Sequence, residues 1–406
     1  MRMMDVVALT QQLVRTPSPV LTGSEVAVAD LIEDVLLDVG LPPVIRVNRA
    51  HDRPNLATTI DFGPGGRHLV LAGHIDTKPI GEALWSVDPF AADIIEGKLY
   101  GLGSADMKAA VAAMIVAAAS MAAASDLTSG RLSLVFTADE EHGAEYGAKY
   151  AASRFDLDAD ALIIGEPGGI RADYDSLHLV SRGLSRFILT ARARQSHSSL
   201  SALLGFRNAG VDLAQAIVDL SQVRLVEPAN EDGLRDWQST MNLAMTYAGG
   251  YGYGVLPEFV MTTVEIRTIP GQDPDDLLSE LRAALSVSNA RTGADVGINF
   301  DNAPDHAIAA TWVRAGEPIV AAINAAAAEA FGYRLPESVF PGTTDTTWFA
   351  EAYPRMACLP ALGPGLLRHA HGADEFVDVA AVQATPGFYE NVARSFLPAP
   401  HTEESR

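Results

Sequence analysis

The sequence predicts an α/β domain with a mixed, largely parallel sheet flanked by helices, and an inserted ferredoxin-like α+β domain. Two observations carry this. Apolar strand-like runs alternate with helix-like runs over residues 1–180 and again over 303–406. Between them, over 181–302, the pattern changes to period-two alternation in the order β-α-β-β-α-β.

In the first part, RHLVLAGH (67–74) is an apolar run that ends in polar residues. MKAAVAAMIVAAASMAAA (107–124) reads as a helix and RLSLVFTA (131–138) as a strand. AEYGAKYAASRF (144–155) reads as a helix and ADALIIGE (159–166) as a buried strand. In the second part, GLSRFILTARAR (183–194), TMNLAMTYAGG (240–250), FVMTTVEIRTIPG (259–271) and ADVGINFD (294–301) read as strands. ALLGFRNAGVDLAQAIVDL (202–220) reads as a helix, and Asp273–Pro274 as the N-cap and first position of another. A helix near 317–331, a strand-like MACLPAL (356–362) and a last helix near 377–396 return to the first domain.

Composition narrows the function classes. The chain has 406 residues and 48% apolar content, enough for two domains with real cores. Its net charge of −22 argues against nucleic acid and anionic membranes as partners, since both need a basic face. The single cysteine, Cys358, excludes an intrachain disulfide and a cysteine-built structural zinc site. MRMMDVVALTQQLVRTPSP (1–19) has no long apolar core and no small-residue cleavage site, so an amphipathic helix ending near Thr16 is expected, in a cytoplasmic protein. The Ala-rich run 109–124 is too short and too weakly apolar for a membrane span and is expected to be a buried helix.

Functional groups of open α/β sheets collect beyond the carboxyl ends of the strands. GHIDT (73–77), TADEEHG (137–143) and IIGEPGG (163–169) all fall at such ends. His74 and Asp76 stand two apart, so Asp76 can orient the imidazole from behind. Asp106, in GLGSADMK, is either a helix N-cap or a ligand. His74 and His371 taken singly read as ordinary structural histidines. Together with Asp106, Glu141 and Glu166 they make a donor set for two zinc ions, each with one histidine, one terminal carboxylate and a share of a bridging carboxylate and water. Adjacent side chains at a strand end diverge, so one of Glu140 and Glu141 can face metal while the other faces water as a proton acceptor.

The motifs GHIDT, GLGSADMK, TADEEHGAEYGA, GEP (165–167), a histidine in the inserted domain, and HAHGADEF (369–376) resemble, in order and over nearly the whole chain, one family. It is the dinuclear zinc family of aminoacylases, acetylornithine deacetylases, succinyl-diaminopimelate desuccinylases and related carboxypeptidases. The resemblance implies that His74 and Glu166 hold one ion, Glu141 and His371 the other, and Asp106 bridges them, with a cis peptide after it. It implies that Glu140 is the general base and acid and that Asp76 orients His74. His197, in ARQSHSSL, would donate to the developing oxyanion, and Arg267, in EIRTIPG, would bind a substrate carboxylate. Gly342, Thr343 and Asp345, in PGTTDTTWF, would line the substrate pocket, and His371 rather than His369 has the family spacing. The inserted domain would be a lid through which two chains dimerise. One departure stands out: in GGYGYGVLPEF, Gly254 replaces the family's usual lid asparagine.

The expected activity is therefore hydrolysis of amide bonds in small N-acyl amino acids by a water bridging two zinc ions, with cobalt or manganese as substitutes. A dipeptidase or carboxypeptidase is the alternative within the class. A dinucleotide-dependent oxidoreductase needs a third glycine after GLGSAD and an acidic residue about 20 positions on, and both are missing. A non-catalytic binding protein would have no use for an intact Glu140 beside a complete ligand set.

Overall fold

A computed structural model describes residues 4–124, 126–303 and 306–398. The chain forms two compact units, 1–181 with 312–406, and 182–311.

The first unit is built on a six-stranded sheet in the order 45–50, 53–63, 130–137, 68–74, 161–164, 357–359. The last four strands run parallel, and the first two add an antiparallel edge. His68–His74 is buried along its whole length, as a central strand covered on both faces must be. Ala109–Ala123 is apolar all round and buried almost all round, because its alanines let it nest between the sheet and the helices Val6–Val14 and Val379–Phe396. The apolar helical stretch Ser104–Ala123 is long enough to cross a membrane, but it is largely buried within the protein. Val6–Val14 opens with Asp5, whose side chain accepts from the Val7 and Ala8 N–H groups.

Four elements of this unit depart from the sequence expectation. The strands Ile45–Ala50 and Arg53–Gly63 and the helix Val26–Asp38 were not read from the sequence. The helix expected over 144–155 is only Ala148–Ala151. Ala144 takes a left-handed φ of 58°, following Gly143 at 96°, so the chain is still turning where a helix was expected to start. Gly147 passes so close to the Ala138 carbonyl that an added Cβ would lie 1.7 Å from its oxygen.

The second unit is an antiparallel sheet in the order 240–242, 259–268, 183–192, 295–300, with the helices Ala209–Leu220 and Pro274–Thr292 packed on one face. This is the β-α-β-β-α-β arrangement. Alternate residues Phe187, Leu189 and Ala191 meet Val264, Ile266, Val296 and Ile298 in its core. Leu213, Ala216 and Leu220, then Leu277, Leu281 and Leu285, recur at helical spacing and cover them. The short strand Ala307–Ile308 pairs with Leu184 and Ser185, which extends this unit to Thr311. The helix expected over 202–220 breaks at Gly205, φ 62°, and restarts at Asn208, whose side chain caps Gly210. The strand expected over 240–250 is two pieces, Thr240–Asn242 and Tyr247–Gly249, separated where Ala244 turns to φ 60°.

Candidate metal centre

Parallel pairing brings three strand ends of the first unit together. His74 lies opposite Thr137, and the Gly165 N–H donates to the Ala72 carbonyl. GHIDT, TADEE and GEP therefore emerge side by side. The turn 104–108 delivers Asp106. It leaves helical geometry at Asp106 (φ −120°, ψ 89°), and the Asp106–Met107 peptide is cis. The Asp106 side chain caps no helix. An added Cβ on Gly73 would lie 2.2 Å from the Met107 Cε, so the bare strand leaves room for the methionine beneath the aspartate.

Asp106 divides its two oxygens between the two histidines. Its Oδ1 is 2.9 Å from His74 Nε2, and its Oδ2 is 3.1 Å from His371 Nε2. Glu166 Oε1 lies 3.5 Å from His74 Nε2 on one side, and Glu141 Oε1 lies 3.1 Å from His371 Nε2 on the other. His74, Asp106, Glu141 and Glu166 are buried, while His371 is half exposed. Tetrahedral zinc with bonds near 2.1 Å puts neighbouring ligand atoms roughly 3.4 Å apart. The observed separations, 2.9–3.5 Å, lie close to or below that edge length, so the residues present could hold two divalent ions, Asp106 serving both.

The charges agree. Burial pushes the Glu166 carboxyl well above its usual range, and Asp106 adds to the effect. Burial does the same to Glu140, where His74 opposes the shift and Glu141, Asp345 and Asp106 reinforce it. At Asp106 burial is outweighed by hydrogen bonds from His371 and His74, which hold the group well below the usual carboxylate range. Hydrogen bonds to Asp106 and Glu141 lift His371 to about 10. Crowded buried carboxylates that raise one another's pKa call for added positive charge, which divalent cations supply.

Asp76 is fully buried, and its carboxylate accepts from the N–H groups of Glu140 (3.2 Å) and Glu141 (3.0 Å). His74 Nδ1 lies 3.1 Å from the Asp76 carbonyl oxygen and 3.5 Å from its Oδ1. Asp76 thus fixes both the histidine ring and the turn carrying the two glutamates. Within that turn Glu141 reaches His371 and lies within 4.8 Å of the ligand atoms of His74 and Asp106, and the Glu140 carboxylate lies within 4.8 Å of those of His74 and Glu166. His369 packs its ring on Phe376 at 4.1 Å.

Asp345 is buried and accepts from Thr137 Oγ1 at 3.0 Å, which leaves Gly342 and Thr343 as the more open part of that loop. Burial pushes Asp345 up to about 7. Two groups escaped the sequence reading. Glu375, inside HAHGADEF, accepts from the N–H groups of Gly103, Ala105 and Asp106 and so holds the Asp106 turn. Lys78, directly after GHIDT, pairs with Glu141. Their only sequence signal is a charge within or next to a motif.

The remaining sequence candidates lie in the second unit. His197 pairs with Val255 across a two-stranded ladder, and the Ser198 N–H donates to the carbonyl of Gly254, so the departing glycine adjoins the histidine. His197 Nδ1 accepts from the Ser199 N–H at 3.3 Å, with Ser199 Oγ at 2.8 Å. A backbone N–H can only donate, so the proton of the neutral ring is on Nε2, which is then free to donate. Arg267 Nε donates to Glu265 at 2.8 Å.

The sequence profile of peptidase family M20/M25/M40 matches residues 70–395. The chain belongs to this family. As a member it is a metal-dependent hydrolase. It is 28% identical to a succinyl-diaminopimelate desuccinylase of Methylocella silvestris, over 96% of this chain and 98% of that one. It is 31% identical to the enzyme of the same name from Stenotrophomonas maltophilia, over 82% and 85%. An M20 family metallo-carboxypeptidase from Sulfolobus solfataricus has the same fold, with a TM-score of 0.76 at 19% identity over 97% of this chain and 99% of that one. A dinuclear metal binding M20 peptidase from Bacillus subtilis aligns at a TM-score of 0.66 and 15% identity over 96% of each chain.

Proposed function

We propose that this M20 hydrolase cleaves the amide bond of small N-acyl amino acids, in the manner of a deacetylase or desuccinylase, with two divalent ions, zinc by preference. The observation that carries the reading is the division of the Asp106 carboxylate between His74 and His371, each backed by its own glutamate. His74 and Glu166 would hold one ion, Glu141 and His371 the other, and Asp106 both. The ions, when bound, supply Lewis acidity and an acidified water at neutral pH.

The protein's own groups do the rest. Glu140, held by Asp76 through its N–H, takes a proton from the attacking water and returns it to the departing amine. The reading assigns the oxyanion hydrogen bond to His197 Nε2 and a substrate carboxylate contact to Arg267. Gly342, Thr343 and Asp345 would line the acyl amino acid pocket, Asp345 from its buried place beside Thr137. The exposed Tyr247, Tyr251, Tyr253, Leu203 and Leu204 of the second unit support a homodimer through that unit. A cytoplasmic site of action fits substrates of this class.

The desuccinylase relatives favour succinyl or another short acyl group, whereas Gly254 removes the lid asparagine and leaves dipeptides in competition. A hydrolysis panel of N-acetyl, N-succinyl, N-formyl and dipeptide substrates with zinc, cobalt or manganese tests the reading. Turnover of an N-acyl amino acid in preference to every dipeptide is expected. Preference for dipeptides would replace the acylase reading by the peptidase one.

A further inference from the structure

Lys78 stands directly after the GHIDT motif, four residues past the strand end at His74, and belongs to none of the roles above. Its Nζ lies 2.9 Å from Glu141 Oε2 and 2.6 Å from the Glu141 carbonyl oxygen, so the ammonium grips the residue at both ends. The other carboxylate oxygen, Oε1, is the one beside His371. Glu166, the corresponding carboxylate on the His74 side, has no lysine or arginine partner among the described residues. The two halves of the centre share a donor set but differ in this one cation.

We propose that Lys78 is a positioning residue that makes the two metal positions unequal. It restricts Glu141 to a single ligand oxygen and sets a positive charge beside the ion on the His371 side, so that this ion is the more weakly held. The inference rests on the two-ion reading above. Two consequences of removing the charge act in the same direction. Glu141 Oε2 becomes free to share the ion, and the repulsion between ammonium and divalent cation disappears.

The test is a titration of the full chain, stripped of metal, with Zn²⁺ against a chromophoric chelator. Wild type is expected to show two sites of different affinity. In Lys78→Met the weaker site tightens by about tenfold, the effect of one unit of charge near a divalent ion in a water-exposed setting. The stronger site, farther from the ammonium but coupled to the weaker one through Asp106, tightens by a smaller factor, about threefold. Lys78→Arg keeps the charge and retains the wild-type pattern, and Lys78→Gln tightens the weaker site as Lys78→Met does, so the result does not depend on one variant folding. An unchanged or weakened second site in both neutral variants would overturn the role of Lys78 while leaving the two-ion reading intact. Wild type that takes up fewer than two ions would overturn that reading, and this inference with it.

Discussion

Glu375→Ala removes a carboxylate that touches no proposed ligand atom, yet the loss should be large. Glu375 is buried, and it accepts from Gly103 N–H at 3.0 Å, Ala105 N–H at 2.9 Å and Asp106 N–H at 3.0 Å. Each buried donor left unsatisfied costs about 1–3 kcal/mol. Water entering the vacated space recovers part of this, so a net loss of about 3–5 kcal/mol is expected. A compact unit of this size loses about 2–4 °C of Tm per kcal/mol, which places the drop at about 6–20 °C. Thermal unfolding followed by circular dichroism measures it. Zinc uptake should fall in the same variant, because the Asp106 turn loses its anchor. Glu375→Gln retains the oxygen that serves Ala105 and Asp106 and should lie between. A Tm for Glu375→Ala within about 2 °C of wild type would refute the assignment of this carboxylate as the anchor of the turn.

Two further outcomes follow from groups away from the centre. Burial, helped by Arg131, depresses the pKa of His68, whose Nε2 meets Ser133 Oγ at 2.7 Å. The unfolded chain then takes up a proton that the folded one refuses, so the stability from His68 is complete above the unfolded value of about 6.5 and is lost as pH falls below it. Urea unfolding at about pH 7.5 and about pH 5.5 should show His68→Gln losing less stability on acidification than wild type, and equal losses would contradict this. Burial pushes the Cys358 thiol up to about 12. A disulfide reagent at about pH 8 should therefore label it only after denaturation, and rapid labelling of the folded protein would contradict its burial.

The sequence was most legible where chemistry and periodicity coincide. His74, Glu141 and Glu166 each follow an apolar run of strand length, and parallel pairing of those runs is enough to bring them together. Phe187, Leu189 and Ala191 likewise announce a one-faced strand by alternation alone. Backbone detail was not legible. Ala144 and Ala244 adopt left-handed φ values that nothing in an alanine signals, and each cuts short an element that propensity would continue. The Ala-rich helix was foreseen, whereas the non-helical turn ahead of it, which aims Asp106 at the two histidines, depends on tertiary contacts with Glu375. Glu375 and Lys78 went unnoticed for a related reason. An isolated charge beside a motif looks the same whether water or three buried amides surround it, and only burial separates the cases.

On the proposed mechanism the adjacent glutamates Glu140 and Glu141 have different duties, one to a proton and one to metal. Steady-state turnover and metal content of Glu140→Gln, measured on the same preparation, test this most directly. Two divalent ions per chain are expected, as in wild type, with kcat lowered by about 10²–10⁴-fold, the usual contribution of a general base. Full turnover with both ions bound would contradict it.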